Sequence, residues 1–326
     1  MAPPTANENR PGSPAIAISV ALIVVMWSLN FIAAKIGLRQ LGPLTMASFR
    51  VVFAGVAMIP AYLICRRAPV FAAHITRPPS GFSLRDLWVF AYLGFFGVCV
   101  NQVCFTVGLR YTSVGHSAVI IGMGPIYVLA LASAMRLERL TMRKVVGMGV
   151  ALIGVVVLAA EEGLGAHSPT LLGDAITMAG SIGFALYAVL GKRVATRYDT
   201  FTMTAFNQIF GAIIALPVAV VEALRIGPAA HWGAIGWQSW ASTAYMAVFG
   251  SAGAYLLYFW LLRYMPPSQL SAFSYLLPVT ATILGIWWLG EKGSWNELLG
   301  GALVLGGVYW IESGRNLESG AAGARG

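Results

Sequence analysis

Arg50 is the one arginine that falls within an apolar stretch rather than at its end, and few other side chains there could do chemistry. A charge inside a membrane segment is by default a functional-site hypothesis. The guanidinium could bind an anionic group, or it could tie helix carbonyls in place. It lies about six residues from the outer end of its stretch, roughly 9 Å deep at ~1.5 Å per residue, within snorkelling reach, and the structural role is slightly favoured. Trp27, Asn30 and Phe31 share one helical face by i, i+3, i+4 spacing, with Lys35 a turn further on. A mid-membrane Asn30 is expensive to bury unpaired, so it must face other helices or a polar pocket. Asn101 and Gln102 add amides, and a later stretch opens with Ser268, Gln269, Ser271, Ser274 and Tyr275. His116 could exchange a proton near neutral pH; alternatively, three residues into its segment, it faces water or headgroups. These groups bind rather than make bonds. The chain has four His, no HExxH, no Gly-x-Ser-x-Gly elbow and no metal-ligand spacing. No catalytic residue, metal or cofactor is therefore expected, and an enzyme is disfavoured.

The elements that must position these residues are membrane helices. The chain is 58% hydrophobic and only 10% charged, against roughly 25% charged in soluble domains. About 20 apolar residues span a bilayer as a helix. Ten stretches qualify, at 15–36, 44–64, 86–109, 113–135, 144–160, 172–191, 201–222, 239–262, 268–289 and 296–312. The fifth and tenth are the shortest, and periodicity alone would also allow nine or eleven.

An internal repeat selects five plus five. At an offset of 153, Leu109-Arg110-Tyr111 falls on Leu262-Arg263-Tyr264, Pro125 on Pro278, Glu138 on Glu291, Gly147 on Gly300 and Gly154 on Gly307. Earlier in each half the offset is 157, placing Lys35 on Lys192, Phe49 on Phe206 and Pro60 on Pro217. An odd number of crossings per copy inverts the second copy. Inverted repeats belong to secondary transporters that rock two halves about a central site. The predicted layout is a leader at 1–14, a five-helix repeat at 15–160, a second at 172–312 and a tail at 313–326, with leader and tail disordered. The first stretch is read as an uncleaved helix, being too long for a signal-peptide core.

With the N-terminus inside, 15 basic residues lie in inner segments and 4 outside. Short loops rich in Lys and Arg stay cytoplasmic, so both termini are predicted inside, in a cytoplasmic (inner) membrane. The net charge of +9 is thus a topology signal, and nucleic acid is not an expected partner. Cys65, Cys99 and Cys104 read as small apolar fillers.

Pro125 and Pro278 occupy equivalent places, and a proline removes a backbone bond and breaks the helix around it. Paired interruptions point to a midplane site, although a packing kink would look the same. By repeat position Trp27 matches Phe184 and Asn30 matches Tyr187. Trp27 and Tyr187 could form aromatic walls or simply core. Gly147, Ala151 and Gly154, with Gly300 and Gly307, form small-residue seams, within one protomer or between two, so a homodimer is a candidate arrangement. No carboxylate lies clearly mid-membrane, which weakens strong proton coupling.

Taken together, Trp27-Ser28-Leu29-Asn30-Phe31 through Lys35, Gly42-Pro43 with Arg50, Leu109-Arg110-Tyr111-Thr112-Ser113, Pro125 and Leu137-Glu138-Arg139-Leu140-Thr141 resemble the drug/metabolite transporter superfamily, in its EamA-type ten-helix branch. Gly173-Asp174, Tyr187, Pro278 and Leu289-Gly290-Glu291 extend the resemblance over about residues 15–312. It implies ten helices around a cavity lined mainly by the first, third, fourth, sixth, eighth and ninth. It also implies movement of metabolites, often export of amino acids or related compounds. The chain departs from the pattern at Ser28, where Gly is frequent, and at Leu137-Glu138, where Gly-Glu is usual. The expected function is a secondary transporter of a small metabolite, with a lipid flippase or scramblase as the alternative. A channel is least favoured, since no charged ring or filter-like run appears.

Overall fold

The computed structural model describes residues 12–67, 82–111, 120–161, 171–195, 197–226, 232–277, 279–280, 283, 295 and 299–311. His116, Pro278 and Glu291, nearly all of the leader and the tail lie outside them. Every regular element among the described residues is helical. Six helices are long and apolar enough to cross a membrane: α1 (Ser13–Gly37), α2 (Pro43–Arg67), α3 (Leu84–Tyr111), α6 (Leu171–Val194), α7 (Thr200–Ile226) and α8 (Trp237–Tyr264). Between and after them come α4 (Ile120–Ala134), α5 (Met142–Glu161), α9 (Pro267–Ala272) and α10 (Leu299–Ile311). Outward faces carry unpaired apolar side chains such as Ile18, Leu22, Val56, Ile59, Ile153, Ile213 and Val220. Such a belt would be an aggregation hazard in water and is what lipid requires.

Small residues set how closely these helices approach. α2 packs along α7, where a methyl on Gly55 would overlap Ala212 and lie 2.7 Å from the Gln208 carbonyl oxygen. Gly55 and Ala212 are partners at the 157 offset. α5 meets α10 through two contacts with the same relation. A Cβ on Gly154 would stand 2.7 Å from the Gly300 oxygen, and one on Gly307 2.6 Å from the Gly147 oxygen. The offset of 153 turns either contact into the other. The small-residue seam is therefore filled within the chain, with α5 and α10 as each other's partners.

Two further departures from regular helix are related in the same way. α3 widens into a π-helix at Gly94–Val100, and α8 does so at Met246–Gly253. The 153 offset superposes them and places Gly97 on Gly250. π-turns commonly mark functional sites because they loosen the backbone ladder. Here the Gly97 oxygen accepts the Tyr255 hydroxyl at 2.8 Å, and the Gly250 oxygen accepts the Trp27 indole N–H at 3.1 Å. Each glycine is also a notch. A methyl on Gly97 would overlap the ring of Tyr187, and one on Gly250 would overlap Oδ1 of Asn30. Tyr187 and Asn30 are themselves partners at the 157 offset.

Candidate functional site

Seven helices converge on one cavity of about 790 Å³, part of it open to solvent. α1 contributes Trp27, Asn30 and Phe31; α2 contributes Arg50; α3 contributes Asn101, Gln102 and Phe105; α8 contributes Tyr255. α4 and α6 add Pro125, Ser181 and Phe184, and the α9 segment adds Ser271 and Ser274. Aromatic rings line it together with amides and hydroxyls. This is the usual composition of a small-molecule site, apolar with a few placed polar groups.

Broken helices shape it. Met123 is a turn residue, and the helical segment Gly124–Ala134 restarts there with proline in its first turn. Proline suits that position because it has no N–H to leave unsatisfied. α9 ends at Ala272 and tightens into a 3-10 turn at Phe273–Tyr275, one turn ahead of Pro278 in the sequence.

A relay of polar groups crosses the site. Arg50 Nε donates to Ser251 Oγ at 3.0 Å, and Ser251 Oγ lies 2.7 Å from Gln102 Oε1 and 3.0 Å from the Met246 oxygen. Tyr255 Oη reaches Asn101 Oδ1 at 3.0 Å, and Asn101 Nδ2 donates to the Gly180 oxygen at 3.1 Å. Asn30 is buried, and its Oδ1 has no hydrogen-bond partner.

Trp27 and Phe184 form the base of the cavity. Their ring centroids are 5.8 Å apart at an interplanar angle of 81°, an edge-to-face pair of the favoured kind. A smaller cavity of about 310 Å³ on the far side shares Trp27, Phe184, Ser271 and Ser274. Tyr258, which lines it too, is buried together with Phe259 and Leu262. Glu138 accepts the Ser268 N–H at 2.9 Å, contacts the Ser268 hydroxyl and pairs with Lys144 at 2.7 Å. Arg136 carries a φ of 57° just before it. With Leu137 N bonded to the Ala132 oxygen at 2.9 Å and Arg136 N to the Ser133 oxygen at 3.0 Å, α4 closes in a Schellman turn. That turn aims Glu138 at α9. Lys192 Nζ holds the Leu262 and Met265 oxygens at 2.5 and 3.0 Å. Nearby, burial and the Asp86 carboxylate raise the Tyr198 hydroxyl to about 12, so it remains a donor to Asp86 at physiological pH.

Of the residues singled out by sequence, Trp27, Asn30, Arg50, Asn101, Gln102, Pro125 and Ser274 line the cavity. Three others do not. Tyr187 fills the notch left by Gly97, boxed by Tyr255, Tyr258 and Phe259 at centroid distances of 5.3, 6.4 and 5.1 Å. Tyr275 is fully buried in the cluster that joins α5, α9 and α10. Gln269 is buried one position after Ser268. Sequence reasoning did not single out Phe105, Ser181, Ser251 or Tyr255. The signal available for Ser251 and Tyr255 was their place beside Gly250, the repeat partner of Gly97.

The chain matches the EamA-like transporter family over residues 15–160 and again over 171–313. It belongs to that family and is a multi-span membrane transporter. An uncharacterized transporter of Archaeoglobus fulgidus is 29% identical over 90% of this chain and 97% of its own length. A probable terminal-alkyne amino-acid exporter of Streptantibioticus cattleyicolor is 26% identical over 94% of this chain and 97% of its own. One crystal structure, 19% identical, superposes with a TM-score of 0.72 over 94% of this chain and 100% of that one, which speaks for the fold.

Proposed function

We propose that this protein is a secondary transporter that exports a small metabolite, amino-acid-like or related, by alternating access between two inverted five-helix repeats. The ten helices would be α1–α10, with both termini on the cytoplasmic side of the inner membrane, as the 15-to-4 basic asymmetry suggests. The observation that carries this proposal is a central cavity lined from both repeats, by α1, α2, α3 and α4 of the first and by α6, α8 and α9 of the second. It lies toward the ends of α1 and α3 and the start of α6, whereas the Glu138–Ser268 contact lies at the opposite end.

Repeat-related contacts give the proposal its mechanics. Gly97 against Tyr187 mirrors Gly250 against Asn30, and the α5–α10 seam mirrors itself. Two halves built alike can exchange conformations, so that the closed end opens as the open end closes. The exporter among the relatives handles an amino acid by its name, and amides and hydroxyls between aromatic walls are suited to a molecule of that size.

The test compares metabolites in the medium of bacteria overproducing this protein with those producing a Trp27→Ala/Asn30→Leu variant at equal membrane abundance. A few small polar compounds enriched outside only with the intact protein are expected. Identical media, with phospholipid redistributed by the intact protein alone, would favour lipid movement instead.

A further inference from the structure

We infer that the transported compound is an organic anion, a carboxylate with an apolar body whose headgroup meets Arg50. The inference rests on the cavity being the transport site and adds the charge class of what enters it. Arg50 is 3% exposed yet lines the cavity. Among the described residues, its only hydrogen bond runs from Nε to Ser251 Oγ, and no carboxylate lies within ion-pair distance. It does not tie down helix carbonyls, as one reading of the sequence allowed. A buried cation without a counter-charge is costly, and attraction to an incoming anion is correspondingly strong in a low dielectric.

The rest of the cavity agrees in sign. Among the described residues no Asp or Glu lines it, so a cationic amine would find no opposite charge there and would meet Arg50. Asn30 lies alongside: a Cβ built on Gly250 would touch both its amide and the guanidinium, 3.4 Å from Nη2. Phe31, Phe105 and Phe184 offer surface for an apolar body. An α-amino acid would satisfy this site through its carboxylate, with its ammonium left to amide and hydroxyl oxygens.

Three probes with one body and different heads decide the matter: 3-phenylpropanoate, 3-phenylpropanamide and 3-phenylpropylamine, titrated by calorimetry into the purified protein in lipid nanodiscs. The carboxylate is expected to bind at least about tenfold more tightly than the amide, and the amine not measurably. Arg50→Gln should abolish that preference while leaving the amide's affinity within about threefold, and Arg50→Lys should keep part of it. An amine that binds as well as the carboxylate, a carboxylate preference that survives Arg50→Gln, or no binding by any probe would overturn the inference. Should Arg50→Gln not fold, the order of headgroups in the unsubstituted protein decides alone. The medium comparison above is independent of all these outcomes, so the charge class can fail while transport stands.

Discussion

Replacing Gly97 with alanine is expected to destabilise the protein by about 3 kcal/mol or more, the upper range for a group forced into a filled core. The added methyl would stand 2.5 Å from Cε2 of Tyr187 and nearer still to the adjoining ring atoms. That ring cannot withdraw, because Tyr255, Tyr258 and Phe259 surround it and Tyr187 is fully buried. The methyl would also spread the wide turn whose Gly97 oxygen receives Tyr255. Gly149 has nothing within 4 Å of a built Cβ, so Gly149→Ala should change stability by no more than about 0.5 kcal/mol. Gly250→Ala should fall between them, since what it meets is the movable end of Asn30. Thermal unfolding in detergent reads all three. Adding Tyr187→Leu to Gly97→Ala should recover much of the loss, a coupling that independent sites would not show. Equal melting of the Gly97 and Gly149 variants would refute the notch.

Trp27→Ala is expected to lower flux at least about tenfold at matched membrane abundance. The indole closes the cavity against Phe184, packs on Tyr255 and Tyr258 at 6.1 and 6.0 Å, and satisfies the Gly250 oxygen in the α8 wide turn. Losing one such hydrogen bond costs about 0.5–1.5 kcal/mol on top of the lost ring packing, and about 1.4 kcal/mol in a barrier is a tenfold rate. Trp27→Phe retains a ring and loses only the donor, so it should transport at an intermediate rate. Phe184→Ala removes the partner at the same junction without disturbing that hydrogen bond and should also fall between the two. Efflux of the exported compound from loaded cells measures the series. Full activity in Trp27→Ala would remove the ring pair from the transport path.

The sequence disclosed the helices to within a few residues wherever they are described, because long apolar stretches between basic loops leave little freedom. It disclosed Trp27, Asn30, Asn101 and Gln102 because polar or amphipathic groups in mid-membrane need an interior face. Tyr187, read as either aromatic wall or core, is core, and Tyr275 is buried among neighbours rather than at the cavity. Spacing of i, i+3, i+4 assigns a residue to a face of its helix but does not say whether that face meets a cavity or a neighbour. For Tyr187 the answer lay in another helix, at Gly97. The wide turns left no mark in apolar periodicity, since one extra residue in a uniformly apolar run changes no pattern. Arg50 was ambiguous for a related reason: depth along the helix was readable, whereas the hydroxyl it bonds, Ser251, sits 201 residues away.

Alternating access is tested most directly by the sidedness of one thiol. Ser181→Cys, which lies on the cavity wall, would be placed in a protein with Cys65, Cys99 and Cys104 replaced, then exposed to a membrane-impermeant maleimide in right-side-out and inside-out vesicles. Reaction from both faces is predicted. Adding Glu138→Cys and Ser268→Cys and oxidising that pair should abolish reaction from the cytoplasmic face alone, and reduction should restore it. A thiol that reacts from the outer face only, with the pair reduced or absent, would contradict the proposed mechanism.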